Sequence, residues 1–388
     1  MQFFRKYFWK YTLRCVFIFL VTSFFVPLAI AEKTKNLPIR LFSVVSPENP
    51  FLSKFNDGKM HIIFCGTGDP QVSMFKIREP SCLAIILNQK FFLIDAGENS
   101  DVTLVSLGIP FTYLKSIFIT HLHADHIAGL GGVLQEYQLE EGRKGNCPIP
   151  LVSVYGPWGI QDVIKGIRKI YTYDALYRSA NDDSCPAPQL IFGTPHLILP
   201  HANGQVVYDT KELKVTAFPV DHRPVYPAFG YELQYGGCKV VVSGDTRVDN
   251  ALKLRADHAN LLINEAFSQH FSELVLSYLK KINDPRGADY IRHINSYHSN
   301  SVALAKMAEV AKVQNLILTH LVPPITTTNA AKKFFTEGMS EYYKGNLNVA
   351  DDGDEAVLSS TNGACSIQFI SVPQPDIKAY QLLFKPIQ

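Results

Sequence analysis

Short runs of β-branched and aromatic residues recur along the chain, and five of them stop on a side chain able to bind a metal. Ser116-Ile117-Phe118-Ile119 reads as a buried strand and runs into Thr120-His121-Leu122-His123-Ala124-Asp125-His126. Leu213 to Val220 alternates and delivers Asp221-His222, and Val240 to Ser243 ends in Gly244-Asp245-Thr246. Leu261 to Asn264 leads to Glu265, and Leu316 to Thr319 leads to His320. In a layered αβ protein, functional groups gather at one edge of the strands. One such ending is easily coincidence; five are not.

The same patterning fills in the rest. His61 to Cys65 reads as the first core strand, closed by the turn Gly66-Thr67-Gly68-Asp69-Pro70. Leu83 to Leu87 and Phe91 to Ile94 form a hairpin around Asn88-Gln89-Lys90, and Asp95-Ala96-Gly97-Glu98 ends its second strand. Ile127 to Gly132 begins a helix. Pro150 to Tyr155 is a strand, followed by an amphipathic helix from Gly156-Pro157 to about Ile170. Tyr171 to Pro188 shows no clear period. A helix is expected from Ser301 to Val313 with Ser299 as its N-cap, and Ser366 to Val372 alternates as an edge strand.

Neutral imidazole and carboxylate are the ligands that zinc takes. His121 and His123 alternate along an extended backbone and point the same way, while Asp125 and His126 lie past the turn and reach a second position nearby. Two adjacent metal ions are the natural reading. A carboxylate at the tip of an apolar strand, as at Asp245, is costly to bury unless it is paired or metal-bound, and it can bridge two cations. The lone histidines His61, His196, His201, His258, His270 and His293 read as structural or surface residues.

The histidine cluster resembles that of the metallo-β-lactamase superfamily. Residues 220–231, with Ser243-Gly244-Asp245-Thr246-Arg247 and Tyr155-Gly156-Pro157, look like its ribonuclease Z and arylsulfatase branch. The resemblance implies an α/β fold, the four-layer αβ/βα sandwich. It also implies two Zn²⁺, with Mn²⁺ or Fe²⁺ as alternatives. His121, His123 and His222 would hold one ion, Asp125, His126 and His320 the other, and Asp245 would bridge them. Asp95 would prop the histidine loop. Metal-activated hydroxide, oriented by Asp125, would cleave a phosphodiester or sulfate ester of a small anionic molecule. Glu265 and His298 would form a dyad, with His298 the general acid for the leaving group.

Departures weigh against a tRNA 3′-processing ribonuclease Z, the first alternative. Asn264-Glu265-Ala266-Phe267 stands where that enzyme usually has His-Glu-Ala-Thr, Leu321-Val322-Pro323-Pro324 follows the last histidine, and no long Gly/Pro-rich arm is visible. Asp245 argues against a β-lactamase proper. A lactonase or a non-catalytic binding protein on the same fold are further alternatives, and a homodimer is compatible with the sequence. Residues 131–200 are expected to carry the substrate-facing insertion, with Tyr171, Tyr173, Tyr177 and Arg178 as candidate pocket residues.

Composition adds location. The chain has 388 residues, 47% hydrophobic, with a net charge of +2, which gives no general nucleic-acid footprint. Arg5, Lys6, Lys10 and Arg14 precede an apolar run from Cys15 to Ile30, and Ala29-Ile30-Ala31 is a small-x-small cleavage signal. Residues 1–31 therefore read as a signal peptide cleaved after Ala31, with an uncleaved anchor as the alternative. Residues 32–388 form the hydrolase domain, with 360–388 as a C-terminal extension, exported to the periplasm or secreted and without a stable membrane span. Cys65, Cys82, Cys147, Cys185, Cys238 and Cys365 remain, an even count suited to disulfides; Cys147–Cys185 is one guess at a pair.

Overall fold

The computed structural model describes residues 53–70, 77–144, 146, 149–179 and 192–372. The leader, its cleavage point, Cys147, Cys185 and the last residues of the tail lie outside the described residues. Among the described residues no helix is long and apolar enough to cross a membrane.

Six strands come first: β1 (Met60–Gly66), β2 (Cys82–Leu87), β3 (Lys90–Ala96), β4 (Leu114–Phe118), β5 (Ser153–Gly156) and β6 (Thr194–Leu197). Seven more follow: β7 (Gln205–Asp209), β8 (Lys214–His222), β9 (Val225–Tyr235), β10 (Cys238–Val242), β11 (Leu261–Phe267), β12 (Asn315–Val322) and β13 (Asn346–Val349). The chain then returns through β14 (Glu355–Thr361) and β15 (Ala364–Ile370) to the first sheet. That sheet runs β15-β14-β1-β2-β3-β4-β5-β6, and the second runs β13-β12-β11-β10-β9-β8-β7.

Strand alternation explains the layers. Met60, Ile62 and Phe64 point from β1 into a core shared with Tyr231, Val240 and Ile263 of the second sheet. Ile63 and Cys65, one residue out of phase, face a second core with Leu130, Val133, Ile160 and Ile164 from helices Leu130–Arg143 and Ile160–Ile170. Val241, Leu262 and Leu316 face a third, with Leu304 and Ala308 from helix Ser301–Val310. Helix, sheet, sheet, helix is the expected four-layer sandwich. Asn88 (φ 44°) and Gln89 (φ 59°) make the tight β2–β3 turn.

Three local expectations change. Thr172–Ser179 is helical, and it turns Ala175 inward while Tyr173, Leu176 and Tyr177 stay exposed, so no apolar period marks it in the sequence. Asn300, not Ser299, caps helix Ser301–Val310, its side chain accepting from the Ala303 amide, because Ser299 is turned inward to donate to the Thr246 carbonyl at 2.7 Å. Between Glu265 and His298 the chain builds two helices that the sequence pattern did not announce, Gln269–Lys281 and Pro285–Asn295.

Candidate metal centre

The expected ligands arrive at one edge of both sheets, and β-bulges aim several of the groups there. Glu265 pairs with Thr319 and Ala266 with Leu321, so His320 is the extra residue, at φ 42°. Cys82 pairs with Ala96 and Leu83 with Ile94, which leaves Asp95 unpaired at φ 59°. Left-handed backbone at a non-glycine residue is uncommon and concentrates at functional sites. Gly97 and Gly129 let the turn after Asp95 run beneath the histidine loop. A β-carbon on Gly97 would meet the Asp125 carbonyl at 2.3 Å, and one on Gly129 the Gly97 carbonyl at 2.1 Å.

The structure brings all seven candidate ligands together. His121, His123, His222 and Asp245 form one group, Asp125, His126 and His320 another, with the ligand atoms of each group within 4.8 Å of one another. Asp245 stands between them: its Oδ2 lies 3.5 Å from His126 Nε2, 3.4 Å from His320 Nε2, and 3.9 Å from Nε2 of both His121 and His222. Asp125 Oδ2 is 3.1 Å from His320 Nε2 and 3.3 Å from His126 Nε2. Asp245, His126 and His222 are buried, and His123 is exposed at the mouth.

Hydrogen bonds fix which ring nitrogen is free. His126 Nδ1 donates to Asp95 Oδ2 at 2.7 Å, and His222 Nδ1 donates to the Tyr297 carbonyl at 3.1 Å. Each leaves Nε2 aimed inward, the atom and orientation a metal ligand would use. Nε2 of both rings and Oδ1 of Asp245 are buried and have no hydrogen-bond partner. Leaving such atoms unsatisfied is costly. A divalent cation would satisfy them, so the residues fit a metal.

Electrostatics tell the same story. Burial, with His126 beside it, holds His121 well below its usual range, and burial takes His222 down to about 4. Burial also opposes a proton on His126, but Asp125, Asp245 and Asp95 outweigh it and raise the ring well above its ordinary value. His320 is likewise lifted to about 9, burial being overcome by Asp245 and Asp125. Asp245 stays well below the carboxylate range despite its burial because His320 and His126 face it. Rings and carboxylates share protons here that a cation would displace.

Glu265 and His298 sit against this cluster. His298 Nδ1 donates to Glu265 Oε1 at 3.1 Å, and the same oxygen accepts the Thr246 and Ser299 amides, each at 3.0 Å. Burial works against a charged His298, but Glu265 more than offsets it, so the ring titrates above its usual value. His298 lies with Asp245 and His320 in a third group of mutually close ligand atoms.

The other candidates are dispersed. Tyr171 stacks on Phe192 at 5.0 Å and packs against the second core rather than a pocket. Tyr173 and Tyr177 are exposed, and Arg178 pairs with Asp174 at 2.9 Å. Sequence reasoning passed over two residues. Thr120 donates to both oxygens of Asp95, its amide to Oδ1 and its hydroxyl to Oδ2, at 2.8 Å each. Asp69 was read only as part of a turn; it follows Gly68, which bridges to Leu321 beside His320, and burial pushes it up to about 6 against the pull of His320. Its proximity to His320 follows from the Leu321 amide, which donates to the Thr67 carbonyl at 3.0 Å.

Comparison with known proteins now places this architecture. The structure of YhfI from Bacillus subtilis, described as a metallo-β-lactamase fold protein, matches with a TM-score of 0.53 and 16% identity, over 77% of this chain and 99% of that one. The chain has the metallo-β-lactamase fold. Human tRNase Z, short form, also matches with a TM-score of 0.53, at 22% identity over 78% of this chain and 99% of that one. In sequence, ribonuclease Z of Mycolicibacterium gilvum is 29% identical over 266 residues, covering 69% of this chain and 85% of the relative. The similarity therefore lies with the ribonuclease Z branch. Residues 60–151, which include the histidine cluster, match the family model described as anti-Pycsar protein Apyc1.

Proposed function

We propose that this chain is an exported phosphodiesterase that works with two zinc ions. One observation carries the reading: Asp245 is flanked by a ligand set on each side, with the Glu265–His298 dyad against the same cluster. His121, His123 and His222 would hold one ion and Asp125, His126 and His320 the other, with Asp245 between. The histidine-rich, carboxylate-bearing donor set suits zinc. Bound there, two divalent cations supply Lewis acidity, acidifying water and neutralising an anionic ester.

The chain's own residues do the rest. Asp125, next to His126 and His320, accepts a hydrogen bond from the attacking water and orients it. Glu265 holds His298 through Nδ1, so the proton on Nε2 faces the leaving oxygen and passes to it as the ester bond breaks. Export is supported by the leader residues and by two disulfides, Cys65–Cys82 and Cys238–Cys365.

A tRNA-processing activity is the second reading, favoured by the similarity to ribonuclease Z. The deciding experiment is turnover by the zinc-reconstituted protein of matched bis-aryl phosphate, aryl sulfate, lactone and precursor tRNA substrates. Preference for the phosphate diester is expected. Preference for the sulfate or lactone would overturn the reading, and cleavage of tRNA alone would select the second.

A further inference from the structure

The two ligand sets and the dyad account for an ester's charge and leaving oxygen, and leave open what else the substrate carries. Two exposed aromatic rings sit on segments that adjoin the ligand-bearing loops. Trp158 lies on the turn after β5, a strand whose Tyr155 carbonyl accepts the Ile119 amide just before the histidine loop. The next residue, Gly159 (φ 98°), presses on that loop: a β-carbon there would come within 2.8 Å of Leu122, which separates His121 from His123. Tyr226 comes from the other sheet. His222 pairs with Val225 and Val220 with Ala228, so Tyr226 and Pro227 together oppose Asp221 in a bulge. Pro227 is buried by this bulge and Tyr226 is turned out.

The two rings meet across the gap between the sheets, edge to face, with centroids 6.3 Å apart and planes at 75°. Trp158 remains 53% exposed and Tyr226 60% exposed. Among the described residues neither ring has a second aromatic contact. Both backbones are fixed, one by the tight approach of Gly159 to Leu122 and the other by the bulge. Rings held on segments that adjoin the ligand loops, with open faces, are suited to stacking on a planar group.

We infer that Trp158 and Tyr226 form a platform for a planar aromatic substituent of the ester, a nucleobase or an aryl group. The inference rests on the phosphodiesterase reading for its ester, but the platform is testable by binding alone. Stacking on an aromatic side chain changes affinity by roughly tenfold.

The test is calorimetric titration of the zinc-reconstituted full chain with adenosine 5′-monophosphate, phenyl phosphate and ribose 5-phosphate, three phosphates that differ in the ring. At least one aromatic phosphate is expected to bind about tenfold tighter than ribose 5-phosphate. The preferred one tells nucleobase from aryl group. Trp158→Leu and Tyr226→Leu should each erase most of that preference, and Trp158→Phe should keep part of it. Equal binding of all three phosphates, or an unchanged preference in both leucine variants, would overturn the platform. Failure of the phosphodiesterase reading shows separately, as absent diester turnover with the binding preference intact.

Discussion

Asp95 Oδ2 lies 2.7 Å from His126 Nδ1, while its Oδ1 accepts the Thr120 amide at 2.8 Å. One carboxylate thus sets both the start of the histidine loop and the tautomer of a ring six residues further on. To do so it occupies a bulge with left-handed backbone, φ 59°. Strain of this kind persists only where surrounding contacts over-determine it.

From this follows the effect of removing it. Asp95→Ala frees the His126 ring and the Thr120 amide together, so metal affinity should fall by about 10–100-fold, the cost typical of losing the group that orients a ligand. Competition with a chromogenic chelator measures it. Affinity equal to wild type would show that the loop holds its own shape.

Much of this site was legible in the sequence because strands advertise themselves by alternation and ligands by type. His222, Asp245 and His320 were found as strand endings. What stayed hidden was whatever depends on register. That Asp95 and His320 are bulged residues follows from pairing with Cys82–Leu83 and Glu265–Ala266, partners distant along the chain. Asp69 was missed because its burial comes from the folded neighbourhood of His320. Helices Gln269–Lys281 and Pro285–Asn295 leave Leu274, Tyr278 and Tyr290 exposed, so the apolar signal that marks a core-facing helix is blurred there. Cysteine pairing is likewise a matter of topology, which a count of six does not settle.

The dyad makes a kinetic prediction with a sign. Glu265 holds His298 above its ordinary value in spite of burial, keeping its proton available near neutral pH. Glu265→Gln removes that charge, so the alkaline limb of the kcat profile should move to lower pH. His298→Ala should slow a diester with an alkyl leaving group by about 10²–10⁴-fold, and an activated nitrophenyl ester far less. Equal losses on both substrates would remove the general-acid role.

The Cys238–Cys365 disulfide joins β10 of the second sheet to β15 at the edge of the first, across a sequence separation of 127. A cross-link over so long a loop restricts the unfolded chain strongly, and its loss costs about 2–5 kcal/mol. The double variant Cys238→Ser/Cys365→Ser should therefore melt several degrees lower while binding as much zinc as wild type. Calorimetry with parallel elemental analysis tests both halves, and an unchanged Tm would mean that the β15 edge contributes nothing to cooperative unfolding.

His61, read from sequence as a structural residue, sits between two carboxylates: Nδ1 is 2.6 Å from Glu355 Oε1, and Nε2 is 2.9 Å from Asp57 Oδ2. Both carboxyls feel burial, which would raise them, yet His61 lowers both from their ordinary values of 3.8 for Asp57 and 4.5 for Glu355, helped at Glu355 by Lys54. A lowered folded value means that the folded state binds fewer protons than the unfolded chain. The contribution is therefore fully present above the ordinary carboxylate values and is lost as pH falls through the lowered ones. Stability should drop below about pH 4.5. His61→Leu should cost about 1–3 kcal/mol near neutral pH, since Glu355 loses one of its two partners and keeps Lys54, and should flatten that acid slope because the carboxyls lose a group that lowers them. Urea unfolding between pH 3 and pH 7 of both proteins separates the effects, and parallel curves would show that the acid sensitivity of β1 and β14 arises elsewhere.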